Sequence, residues 1–436
     1  MAKTSELYST LLDGLRSALP SEGASIAAVE AELSDGEPGV TAQEIIRKEC
    51  ENKKLADVSE ADLYEALILS VSEVLQAEAN PITSTVVSDA AVAVQTAFSN
   101  RLKTFAAEAD RLWLIVVPVA TDFQGDAFNE LSTVNARRVL IGPCDSQAQL
   151  DARLASVCGT VGVTPAAGAT PYITALRQSH FVAQTKGSGE SALRNGLRSL
   201  NIGRDALRFA EFIHAPRESL GPLRAASATE LVIEARLVAE DGRENVPKLL
   251  RHADVSFDGV EVLRQPRVRA FYDATARVLE AQPENTQEKQ KTFRGRVARS
   301  IRIFSRAVVQ NNRDMRFLLL LVAFEVMLNR KDAPIAEALA EYGALLTVSG
   351  VEERLRLARE LKKIYDTRSR FVHDGQIPSE LLGEDKFARA ETVVFRTWSA
   401  LMRELLPFSD RGWADDDFFD RLLRLKFGSA WKEVAV

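Results

Sequence analysis

Tyr365-Asp366-Thr367-Arg368-Ser369-Arg370-Phe371-Val372-His373-Asp374-Gly375 ends a strongly helical segment that begins near Val351. Leu357, Leu361, Ile364 and Arg368 recur at helical spacing, so Arg368 takes a position whose predecessors point inward. An arginine there needs a buried acidic partner or a polar cleft. His373, one of four histidines in 436 residues, follows five positions later. On a straight helix the two side chains diverge by about 140°. They converge if the helix end unwinds, as Asp374-Gly375 allows, or if two copies of the chain share a site.

Working outward, Met315 to Leu328 is apolar nearly all round and reads as the buried central helix of a bundle. Glu325 lies in it, and a carboxylate there is costly unless paired, which makes it the candidate partner for Arg368. Before it, Lys289 to Arg316 carries nine Lys or Arg residues and one acid, Asp314. Arg299, Arg302, Arg306 and Arg313 fall within about 60° of one another on a helical wheel, opposite Val297, Ile301, Phe304 and Val308. Such an arginine stripe suits a polyphosphate backbone, because guanidinium pairs phosphate oxygens bidentately. It suits equally a solvated face balancing acids such as Asp415 to Asp417. After the Arg368 segment, Glu391 to Leu406 turns Val394, Trp398, Leu401, Met402 and Leu405 inward, and Phe418 to Phe427 adds a short amphipathic helix.

Phe317-Leu-Leu-Leu-Leu-Val-Ala-Phe-Glu-Val-Met-Leu328, followed by the Tyr365 to Gly375 stretch, resembles an Apea-like HEPN domain over roughly residues 290 to 430. The resemblance implies an all-helical bundle that often dimerises, with metal-independent ribonuclease activity and Arg and His from two protomers lining a shared cleft. It also implies a role in antiviral defence, as an abortive-infection effector or toxin. On this chain it makes Arg368 and His373 catalytic, with Glu325, Ser369 and Asp366 supporting them and RNA along Arg299, Arg302, Arg306 and Arg313.

The chemistry fits these residues independently. RNA is cut without a metal when its 2′-hydroxyl attacks the adjacent phosphate. That needs a group titrating near neutrality, which histidine supplies, and a fixed cation for the phosphoryl oxygens, which arginine supplies. The plain structural alternative pairs Arg368 with Glu325 and leaves His373 to cap the helix C-terminus.

The rest of the chain is less informative. Residues 1–105 read as mostly helical, with Leu7, Leu11, Leu12, Leu15 and Leu19 at helical spacing, a loop at Ser34 to Gly39, and Ser59 as an N-cap. Residues 106–280 read as a mixed α/β sensory or scaffolding domain. Strands are expected at Trp113 to Val119, Arg137 to Pro143, Glu230 to Val238 and Val255 to Leu263, with a helix from Ser146 to Val157. Neither Lys186-Gly-Ser-Gly-Glu-Ser191 nor Gly159-Thr-Val-Gly162 has the spacing of a phosphate-binding loop, so both read as ordinary loops. His180, His214 and His252 have no partner at metal-ligand spacing, and no cofactor or metal is expected. Pro283 to Lys291 reads as a connector.

A net charge of −6 argues against a protein that coats nucleic acid non-specifically. Three scattered cysteines suit a reducing cytoplasm, and no run is long enough to span a bilayer. The expected architecture is therefore α+β: a helical N-terminal region, a mixed middle domain, and a HEPN-like helical bundle over 290–436. The expected function is a homodimeric cytoplasmic endoribonuclease answering a phage-derived or protein trigger. The alternatives are a non-catalytic HEPN module that binds RNA or protein, and a ligand-sensing regulator built on the α/β domain.

Overall fold

The computed structural model describes residues 4–19, 26–35, 37–53, 60–79, 90–108, 111–159, 177–187, 189–214, 230–239, 242, 248–253, 256–257, 259–282, 292–329, 334–374 and 384–427. The chain is mostly helical with one antiparallel sheet region, an α+β protein. Its internal contacts divide it into two units. Met1–Trp113 with Thr185–Asn195 forms the first, and Leu114–Gln184 with Gly196–Val436 the second. The expected middle and C-terminal regions both fall mainly in the second unit.

The first unit is built on α1 (Thr4–Ala18), α2 (Ile26–Asp35), α3 (Glu37–Lys53), α4 (Glu60–Ala79) and α5 (Ala90–Glu108). Leu7, Leu11, Leu12 and Leu15 of α1 are buried with Leu67, Val71 and Phe98, so the leucine spacing marks the core-facing stripe. The loop expected at Ser34 to Gly39 is corrected at its described residues, which are helical, and Gly36 lies outside the described residues. Ser34 and Asp35 end α2, while Glu37 and Pro38 open α3, where a proline's missing N–H costs nothing. Ser59 lies outside the described residues.

Six strands line up in the order β2-β3-β4-β1-β5-β6. They are β1 (Leu112–Val119), β2 (Ala127–Phe128), β3 (Arg138–Ile141), β4 (Ser179–Lys186), β5 (Glu230–Ala239) and β6 (Lys248–Ala253). β1 is buried along nearly its whole length, as its β-branched run predicts. On one face, α6 (Gln147–Cys158) sets Leu150 and Leu154 against Leu114, Val116, Val139 and Val182. Ser146 caps α6 through Gln149 N–H, and Gly159 ends it at φ 72°. α7 (Gly189–His214) comes close to Ile115, where a Cβ on Gly196 would meet that side chain at 2.5 Å. The strand expected at Val255 to Leu263 is corrected. Ser256 makes only an isolated bridge, Gly259 turns the chain at φ 74°, and Val260–Arg264 is a 3-10 helix.

The remaining helices are α8 (Pro266–Ala281), α9 (Phe293–Val308), α10 (Arg313–Leu328), α11 (Ile335–Thr347), α12 (Val351–Asp374), α13 (Glu384–Leu405) and α14 (Asp415–Lys426). α9 buries Val297, Ile301, Phe304 and Val308 completely, the apolar back expected of it. Phe304 stacks on Trp398 of α13 at 4.2 Å between ring centroids, and Phe209 of α7 meets Trp398 edge-on at 5.4 Å. Trp398 Nε1 donates to Ser300 Oγ at 2.9 Å, and Ser300 donates to Ala323 O at 2.6 Å, so this core fixes α9, α10 and α13 together. Asp205 of α7 accepts Ser305 Oγ of α9 at 2.6 Å, tying the α/β layer to the bundle.

Candidate functional site

Arg368 meets Glu325, the partner its sequence position demanded. Arg368 Nη2 lies 3.3 Å from Glu325 Oε2, with the side chains 23% and 15% exposed. α10 supplies the carboxylate and α12 the guanidinium, and α11 packs against both helices. The contact is an ion pair without hydrogen-bond alignment. Glu325 Oε2 and Arg368 Nε are each buried with no hydrogen-bond partner among the described residues.

Tyr365, one turn before Arg368, completes the local cluster. Its ring centroid lies 5.5 Å from Arg368 Cζ, close enough for a cation–π contact. Burial first, then the negative charge of Glu325, pushes the Tyr365 phenol up to about 12, so it stays protonated at neutral pH. The sequence reading gave Tyr365 no role. Its signal was its position at i−3 from Arg368, on the same helical face.

α12 remains helical through Asp374, so the helix end does not unwind before His373. Positions 368 and 373 therefore stand about 140° apart around α12. The side chains of Ser369 to Asp374, His373 among them, lie outside the described residues. Asp366 is exposed, on a different face of α12 from Arg368.

The arginine stripe is interrupted. α9 stops at Val308, and Asn312 caps a new helix through the N–H groups of Asp314 and Met315, so Arg313 opens α10 instead of continuing α9. There its guanidinium lies over the Phe387 ring at 4.6 Å. Arg302 donates from Nη2 to Leu279 O at 3.1 Å and also to Gln282 O, satisfying carbonyls at the end of α8. Arg299 and Arg306 are exposed. Two cations missing from the expected set carry structural loads. Arg296 clamps Asp415 with Nε–Oδ1 2.8 Å and Nη2–Oδ2 2.6 Å, and its Nη1 donates to Val326 O and Asn329 O at 2.9 Å each. Arg316 pairs with Glu391 at 2.8 Å in near-complete burial.

α10 is buried on one side only. Met315 is 43% exposed, and Leu318, Leu319, Val322 and Val326 are half-buried. These five share an arc of about 100° on the helix, and position 325 borders it. The expected all-round burial is corrected to an apolar face left open beside the Glu325–Arg368 pair.

Of the other histidines, His180 is fully buried in β4, and burial first, then Arg236, pushes its imidazole down to about 4. His214 ends α7 with its ring edge-on to Phe271 at 4.8 Å. The His252 side chain lies outside the described residues. No helix among the described residues is long and apolar enough to cross a membrane. No family model, curated protein or solved structure matches the chain.

Proposed function

We propose that the C-terminal helices form a HEPN-like, metal-independent endoribonuclease that works as a cytoplasmic homodimer in antiviral defence. The observation that carries this reading is the half-buried Glu325–Arg368 pair, with an unsatisfied guanidinium N–H one turn from a protonated tyrosine. Glu325 fixes the guanidinium, and Arg368 presents it to the non-bridging oxygens of a phosphodiester. His373 takes the proton of the 2′-hydroxyl as that oxygen attacks phosphorus. The P–O5′ bond breaks, the departing oxygen takes a proton from a solvent water, His373 returns its proton to solvent, and a 2′,3′-cyclic phosphate and a 5′-hydroxyl result. Ser369 is the residue next to Arg368 in this reading, Asp366 stands on another face of α12, and Arg299 and Arg306 hold the RNA backbone.

The helical spacing of the two residues supports a dimer. One α12 keeps residues 368 and 373 about 140° apart, so an arginine and a histidine that act on one phosphate come from two protomers. The open apolar face of α10, bordering Glu325, is the surface on which the second copy packs, burying Met315, Leu318, Leu319, Val322 and Val326.

The test is growth of cells expressing the wild type beside His373→Ala, with and without phage challenge, and total RNA run on a gel from each. RNA fragmentation and growth arrest that vanish in the variant support the nuclease. Identical behaviour of the two under challenge replaces it with a module that binds without cutting.

A further inference from the structure

α12 and α13 both pack on α11, and between them lies an open groove of about 1280 Å³. Its α12 wall presents Glu353, Leu357, Glu360, Ile364 and Thr367, and its α13 wall Lys386, Ala390, Val393, Thr397 and Ala400. Both sets run at intervals of four, three, four and three residues. That is the spacing with which a helix faces another helix across a packed seam. Here two such seams face a space that no element among the described residues fills.

The floor is apolar. Leu357, Ile364, Ala390, Val393 and Ala400 supply most of it. Thr367 and Thr397 donate their hydroxyl protons to carbonyls of their own helices, Lys363 O at 2.9 Å and Val393 O at 2.8 Å. The rims are cationic. Arg356, Arg359 and Lys363 each immediately precede a seam residue of α12, and Arg389 and Arg396 do so on α13. Arg356, Arg359, Lys363, Lys386 and Arg396 are exposed and have no ion-pair partner among the described residues. Arg389 alone is paired, to Glu360 across the groove at 3.3 Å.

From this we infer that the groove receives an acidic amphipathic helix of a partner protein. Its apolar face would fill the seam, and its Glu and Asp flanks would meet the two cationic rims. A single strand of nucleic acid fits less well. Such strands bind where aromatic side chains interleave with cations, and no aromatic residue lines this groove. Glu360 holds a place that a partner carboxylate would take on Arg389. The inference does not depend on the nuclease reading, since none of its residues belongs to the Glu325–Arg368 pair.

The α12 wall from position 353 to 367 is about 21 Å long, which matches a helix of about 15 residues. The probe is therefore a labelled synthetic peptide of about that length, with Leu and Ala on the seam and Glu on both flanks. Its anisotropy is measured with the full-length protein, beside the same peptide carrying Lys flanks and beside labelled oligouridine. The Glu peptide should bind at least about tenfold more tightly than the Lys peptide. Arg356→Glu with Arg396→Glu, both exposed, should weaken it by about tenfold or more, and Glu360→Gln should strengthen it by freeing Arg389. Equal binding of the two peptides overturns the inference. So does displacement of the peptide by oligouridine, which would make the groove a nucleic-acid channel.

Discussion

Among the arginine–glutamate pairs that join the helices of the C-terminal bundle, Arg316–Glu391 and Arg368–Glu325 should respond to removal to different degrees. Arg316 Nε and Glu391 Oε1 are 2.8 Å apart, with side chains 8% and 1% exposed, and Glu391 Oε2 has no hydrogen-bond partner among the described residues. Glu391→Ala leaves the Arg316 charge buried without its counter-ion, a loss of about 3–5 kcal/mol for a pair this enclosed. Arg316→Met with Glu391→Leu removes both charges and fills the space, and should recover most of that loss. Arg368→Ala breaks a pair that is 23% and 15% exposed, where partial access to solvent holds the cost of the unpaired carboxylate to about 1–3 kcal/mol. The assay is denaturant unfolding followed by tryptophan fluorescence, since Trp398 lies in the core shared by α7, α9 and α13. If Arg368→Ala destabilises the bundle as much as Glu391→Ala, the Glu325–Arg368 pair is structural and its reading as a reactive site fails.

Stability should also fall with acid in a defined window. His180 is neutral in the fold with its imidazole pushed down to about 4, whereas the unfolded chain takes up a proton near 6.5. The unfolded state therefore binds more protons between those values, and stability drops by about 3 kcal/mol from pH 6.5 to pH 4, with no change above 7. A His180→Gln variant should lose that slope in pH-dependent denaturation, and a slope that persists would assign it to other groups. Gly196→Leu should destabilise the α/β layer by about 1–3 kcal/mol, since a Cβ there already meets Ile115 at 2.5 Å; a variant as stable as the wild type in thermal unfolding would show that α7 can shift away.

Much of the helical frame was legible because apolar spacing reports burial directly. The α9 back, the inward face of α13 and the α1 leucines all follow that rule. The Glu325–Arg368 pair was legible for a related reason: a charge at an inward position needs a partner, and α10 offered one acid after Asp314. The sheet was harder to read. β4 (Ser179–Lys186) is central in strand order yet carries one β-branched apolar residue, Val182, and owes its strand state to neighbours on both sides. Val255 to Leu263 alternates like a strand, but Gly259 enters the left-handed region and leaves Val260 and Leu263 buried three apart on a 3-10 helix. The arginine stripe looked continuous because a helical wheel ignores caps; Asn312 starts a new helix and takes Arg313 with it. The α12–α13 groove was invisible for a different reason. Its seams are ordinary helical faces until the structure shows that nothing covers them.

The most direct test of the nuclease reading uses purified protein in a chelator with end-labelled RNA and a matched strand carrying 2′-deoxyriboses. The account predicts cleavage of the RNA alone, with 2′,3′-cyclic phosphate ends. Arg368→Ala and His373→Ala should each lower the rate by about 100-fold or more, and a mixture of the two should recover part of it through heterodimers with one intact site. Cleavage of the deoxy strand, or variants that cut as fast as the wild type, would contradict it.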